Sequence, residues 1–120
     1  MKTSSAKAKG RRLCAELREA LLKIGRWHNI LPEDIVVTPS GVTGEDLYLS
    51  PHARKLFNFA IECKNQENLN VWKAFEQAQS HAKGGDKIPL LAFKRNKSKL
   101  MVCLELEHFL KLLWPDTSPT

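Results

Sequence analysis

The chain has 120 residues, 42% of them hydrophobic, which suits one domain with a real core. Nineteen basic against 13 acidic side chains leave a formal net charge of +6, a balance that favours a polyanionic partner. The composition speaks against three classes: no CxxC pair supports a thiolate zinc site, no run approaches the ~20 apolar residues of a membrane span, and no apolar run follows the basic N-terminus as in a signal peptide.

Residues 1–8 are small and basic and are expected to form a flexible arm. A helix is expected over residues 9–24, where Leu13, Leu17, Ala20, Leu21 and Ile24 recur at helical spacing and Gly25 is a stop. Glu16 lies at the border of that stripe. Ile35 to Thr38 is a β-branched run closed by Pro39-Ser40-Gly41, hence a strand and a turn. Asp46 to Leu49 is a second strand, ended by Ser50-Pro51, with a loop or hairpin to Lys55. Leu56 to Lys64 is the third and most apolar strand, and the three are expected to form a meander.

Asn70 is placed to cap a second helix, in which Val71, Trp72, Phe75, Ala78 and Ala82 keep one face. Gln79 falls in the same sector and Gln77 outside it. Gly84-Gly85 ends the helix. Ile88 to Phe93 is almost wholly apolar, as in a strand buried on both sides, and Pro89 must lie near its start. Leu100 to Leu104 returns the chain. Glu105 to Leu113 makes a last helix with Leu106, Phe109, Leu110 and Leu113 inward, and the tail over 115–120 is polar and expected to be flexible. The order is αβββαββα, an α/β sandwich around a mixed sheet.

The chemistry concentrates at the end of the third strand. Alternation sends Glu62 and Lys64 to one face and Cys63 to the other, so a carboxylate and an ammonium share one spot at the rim of the core. Asp46, in Gly44-Glu45-Asp46, is a second carboxylate at a strand edge. Phosphodiester hydrolysis needs charge stabilisation on the phosphate and an activated water, and magnesium held by carboxylates supplies both. Asp46 and Glu62 are the candidate ligands, with the backbone carbonyl of Cys63 a third. Lys64 is placed to orient the water or neutralise the transition state. Glu16 is a candidate to join through water or at a second metal. Against these stand plainer readings: Asp46 as a turn residue, Glu16 as a solvated helix residue, and Glu62 with Lys64 as a structural ion pair.

Other features weigh less. His28, His52, His81 and His108 show no metal spacing and read as surface or contact residues. Cys14, Cys63 and Cys103 read as buried reduced thiols of a cytosolic protein. Trp27 and Tyr48 fit core spacing least and are candidates for contact with nucleic acid. Basic residues cluster at Lys2, Lys7, Lys9, Arg11 and Arg12, and again at Lys83, Lys87, Lys94, Arg95, Lys97 and Lys99. No GxxxxGK[ST] motif supports a nucleotide-driven motor.

Over residues 9–113 the chain resembles the PD-(D/E)xK nuclease superfamily, and within it the small Holliday junction resolvases of archaea and viruses and related phage nucleases. Lys9-Gly10 followed by Glu16 resembles the family's opening helix. Gly44-Glu45-Asp46 matches the motif with the first metal-binding aspartate, although Glu45 stands where the family name has proline, which makes it a candidate ligand as well. Ile61-Glu62-Cys63-Lys64 matches the (D/E)xK strand, and Gln77-Ala78-Gln79 resembles the following helix, which often carries a glutamine near the site. There the motif favours Gln77 and the helical phase Gln79. The resemblance implies a restriction-endonuclease-like core over residues 9–114, Mg2+ with Mn2+ as a substitute, DNA as partner, and a homodimer. It implies a structure-selective endonuclease, with the location cytoplasmic or nucleoid-associated, or host cytoplasm for a viral protein. The alternatives are a general phage-type nuclease on flaps, single strands or ends, and a non-catalytic nucleic-acid-binding protein on the same fold.

Overall fold

A computed structural model describes the backbone of residues 2–114 and the side chains of residues 5–114. The elements run α1 (Lys2–Gly25), two 3-10 turns, β1 (Ile35–Val37), β2 (Leu47–Leu49), α2 (Pro51–Arg54), β3 (Phe59–Asn65), α3 (Val71–Ala82), β4 (Ile88–Lys94), β5 (Met101–Cys103) and α4 (Leu106–Leu113). The tail over 115–120 lies outside the described residues. β3 pairs parallel to β4, and β4 antiparallel to β5, so the central sheet is mixed in the order β3-β4-β5. Among the described residues no helix is long and apolar enough to cross a membrane.

Strand alternation decides the layers. Leu90 and Ala92 of β4, with Ile61 and Cys63 of β3, pack against Leu13 and Cys14 of α1. Leu91 and Phe93 turn to the opposite face, under Ala74 and Phe75 of α3. β4 is thus covered on both faces, which is why its sequence is apolar without alternation. In the parallel register Glu62 stands beside Leu91 and shares its face, so the carboxylate is directed under α3 while Cys63 faces α1.

The meander expected of the first three strands does not form. β1 and β2 make a separate antiparallel hairpin, and β3 belongs to the other sheet. The chain between β2 and β3 is occupied by α2, where the sequence suggests a loop or hairpin. Ser50 caps it by accepting from the Ala53 N–H at 3.1 Å, and Pro51 opens its first turn. α1 starts at Lys2 rather than residue 9, so the stretch expected to be a flexible arm continues the helix. Ala6, Lys7, Ala8 and Lys9 are strong helix formers and nothing there breaks it.

Gly25 ends α1 because the chain folds back on it. A Cβ there would sit 2.7 Å from the Cβ of Ile30, which is buried against the core. Ile30 joins the core, whereas Ile24, expected on the apolar stripe of α1, is 54% exposed. Asn70 caps α3 as expected, accepting from the Lys73 N–H at 3.1 Å. The buried face of α3 is narrower than its sequence suggests: Ala74, Phe75, Ala78 and Ala82 are covered, but Trp72 is 83% exposed. The apolar stripe of α4 does not face inward either. Leu106, Phe109, Leu110 and Leu113 remain 45–69% exposed, because α1 and α3 already occupy the two faces of the sheet.

Candidate active site

The site is built on the free edge of β3. The backbone N–H of Asp46 donates to the Ile61 carbonyl at 2.9 Å, and the Cys63 N–H donates to Oδ2 of Asp46 at 2.8 Å. Ile61 and Cys63 therefore turn their backbone polar groups away from β4. The Cys63 carbonyl belongs to that same edge set, beside Asp46. Gly10 of α1 comes against it: a Cβ at Gly10 would lie 3.4 Å from the Cys63 oxygen. The Asp46 carbonyl is held in turn by the Thr38 N–H at 3.0 Å and the Cys14 thiol at 3.3 Å. Gly44, at φ 116, lets the loop enter this arrangement in a backbone conformation that other residues avoid.

Glu62 is the buried charged residue of the described chain, 7% exposed. Burial first, and then the neighbouring Asp46 carboxylate, push its carboxyl up to about 7, against the opposing pull of the Lys64 ammonium. Lys64 Nζ lies 3.9 Å from Oε2 of Glu62. The other oxygen, Oε1, is buried without a hydrogen-bond partner, and His81 Nε2 stands 3.7 Å from it. Asp46, Glu62, Cys63 and Lys64 line one cleft of about 550 Å³, whose walls come from Lys7, Gly10 and Arg11 of α1 and from the β1–β2 loop. Arg11 Nη1 donates to Ser40 Oγ across this cleft at 2.8 Å.

The other sequence candidates lie elsewhere. Glu16 is exposed and not on the cleft wall. It follows Cys14 by two residues, about 200° around the helix from the face that Cys14 and Gly10 present. Glu45 is bonded to Lys87, and although burial works against its ionisation, that ammonium outweighs burial and holds its carboxyl below the usual range. A carboxylate so neutralised is a poor further ligand. Gln79 donates to Glu105 Oε2 at 3.3 Å, away from Glu62, and Gln77 is exposed one turn before His81. Helical phase therefore misplaces Gln79, because the sheet-facing sector of α3 is centred on its alanines.

Two features are not legible in the sequence. His81 reads there as a surface or contact residue, since its proximity to Glu62 depends on how α3 lies over β3. The basic clusters are also joined: Lys9 Nζ donates to Asn96 Oδ1 at 3.4 Å, which sets α1 beside the β4–β5 turn. Lys7 and Arg11 lie about 200° around the helix from Lys9, on the side that walls the cleft, so α1 carries basic residues both to the cleft and to the β4–β5 turn. The cysteines are free. Cys14 and Cys63 are buried with their sulfurs 2.8 Å apart, and Cys103 is only half-buried.

Among the described residues no three or more His, Cys, Asp or Glu side chains gather as a metal-holding group. What the site offers is two carboxylates and a backbone carbonyl, all hard oxygen donors. That set suits magnesium, which keeps several waters and uses one or two carboxylates together with substrate phosphate. Its softer neighbours, the Cys14 and Cys63 sulfurs, face the core.

A protein-family model described as "Phage putative PDDEXK endonuclease" matches residues 6–119. No curated protein and no solved structure matches the chain.

Proposed function

We propose that this chain, which belongs to the phage PDDEXK endonuclease family, is a magnesium-dependent, structure-selective DNA endonuclease, in particular a Holliday junction resolvase that acts as a homodimer. The observation that carries the nuclease reading is the convergence of Asp46, Glu62, Lys64 and the Cys63 carbonyl on one strand edge inside a cleft walled by basic residues. Asp46 and Glu62, with the Cys63 carbonyl, would hold the ion. When bound, magnesium supplies charge neutralisation at the phosphate and a more acidic water. Lys64 stands beside the carboxylates as the cation that orients the nucleophile and offsets charge on the phosphate. Lys7 and Arg11 on the cleft wall bind the phosphate backbone, and Lys94, Arg95 and Lys97 offer further phosphate contacts at the β4–β5 turn.

Selection by shape rather than by sequence fits the basic residues Lys7 and Arg11 on the cleft wall, since contacts to phosphates carry no base information. A two-fold dimer would set two copies of the site against the two symmetry-related strands of a junction. The test is a cleavage assay on junction, flap, nicked and linear DNA, with and without magnesium. Paired symmetric nicks in the junction support the full reading. Equal cutting of all four substrates leaves a general phage-type nuclease, and no cutting of any with Mg2+ or Mn2+ leaves a binding protein.

A further inference from the structure

Lys64, on the same strand, faces one carboxylate oxygen of Glu62, but no hydrogen bond from β3 holds the other. Asp46 is fixed by the Cys63 N–H, but Oε1 of Glu62 is buried and accepts no hydrogen bond. The group facing that oxygen is His81 Nε2 at 3.7 Å, just outside hydrogen-bonding distance. His81 is in the last turn of α3. Its neighbours Ala78 and Ala82 are buried against the sheet, which fixes this end of α3. Lys64 engages the opposite oxygen, Oε2. Two potential donors on two different elements thus flank the carboxylate, one at each oxygen.

We propose that His81 is a positioning residue for Glu62: its Nε2–H engages the buried Oε1, and so keeps Oε2 turned to Lys64 and the cleft. The inference rests on the reading of Asp46 and Glu62 as the cation-holding pair. A carboxylate with one oxygen anchored has a single orientation in which the other oxygen can ligate. Partners of this outer kind typically change metal affinity by about 10–100-fold. His81 itself touches neither substrate nor ion.

The test compares His81→Ala and His81→Gln with wild type. Gln can present an amide N–H close to the place of the imidazole Nε2. Mn2+ affinity is measured by calorimetry without DNA, and the single-turnover rate is followed against Mn2+ concentration. The expected result is a loss of Mn2+ affinity of about tenfold or more in His81→Ala and recovery of most of it in His81→Gln. The half-saturating Mn2+ concentration should rise while the rate at saturating Mn2+ falls much less. If His81→Ala fails to fold, His81→Phe fills the volume without a donor, and the comparison with Gln is made there. Unaltered Mn2+ affinity in the donor-free variants would overturn the inference and leave the nuclease reading intact. A wild type that binds no Mn2+ would take down both.

Discussion

Asp46 and Cys63 hold each other across the gap between hairpin and sheet. The Cys63 N–H donates to Oδ2 of Asp46 at 2.8 Å, from the strand whose flanking residues are Glu62 and Lys64. One strand edge therefore fixes the aspartate and carries the other two groups, so their geometry does not depend on a ladder between β2 and β3.

That link separates charge from structure in the first prediction. Asp46→Asn keeps an acceptor for the Cys63 N–H but removes the charge. We expect it to fold with a melting temperature near wild type and to cleave at least about a hundredfold more slowly, with DNA affinity nearly unchanged. Glu62→Ala should lose cleavage to the same degree. Mn2+ should support the reaction in wild type, and Ca2+ should bind without turnover. Single-turnover kinetics with parallel binding isotherms check this, and normal turnover by purified Glu62→Ala would sink the site assignment.

Lys64→Ala should lower the single-turnover rate by about 10²–10⁴ with a much smaller effect on DNA binding. Lys64→Arg should rescue poorly, since a planar guanidinium does not replace a compact ammonium beside a buried carboxylate. An unchanged rate in Lys64→Ala would reduce Lys64 to a structural partner of Glu62.

Glu62 should impose a pH dependence on the metal-free protein. Its carboxyl is raised from 4.5 to about 7 by burial and by Asp46, so the folded state binds the proton more tightly than the unfolded chain. Its contribution to stability is complete below about pH 4.5, declines as pH rises, and is lost above about pH 7, a total on the order of 3 kcal/mol. Glu62→Gln should remove that slope and melt higher than wild type at pH 8 without metal. Added Mn2+ should raise the wild-type melting temperature and leave Glu62→Gln unmoved. A wild-type melting profile flat between pH 5 and 8 relative to Glu62→Gln would contradict this ionisation.

The basic residues of the β4–β5 turn predict a salt signature. Replacing Lys94, Arg95 and Lys97 together by alanine should weaken binding uniformly across DNA sequences. The slope of log affinity against log salt should become shallower by about 0.9 for each phosphate that the variant no longer neutralises. A slope equal to wild type would place the DNA elsewhere.

Assembly and shape are tested together. Sedimentation should show a dimer, and competition binding should favour branched over linear duplex DNA at moderate salt. A monomer both free and on DNA, with equal affinity for junction and linear duplex, would remove the resolvase assignment and leave the nuclease chemistry standing.

The sequence by itself determined what is local. Helical spacing and caps placed α1, α3 and their ends near Gly25 and Asn70. The unbroken apolar run of β4 marked a strand covered on both faces. The Glu62-x-Lys64 spacing set a carboxylate and an ammonium on one face, because strand alternation acts between residues two apart. Tertiary structure alone decided what faces what. It brought Asp46 to the β3 edge without a meander, put His81 over Glu62, sent Gln79 to Glu105, gave Glu45 to Lys87 and turned Glu16 outward. It also left the apolar stripe of α4 without a sheet face to cover. These pairings depend on the rotation of each helix about its own axis and on which edge of the sheet stays open. Amphipathic periodicity constrains the first only to a broad sector, and the second is fixed by contacts between residues far apart in the chain.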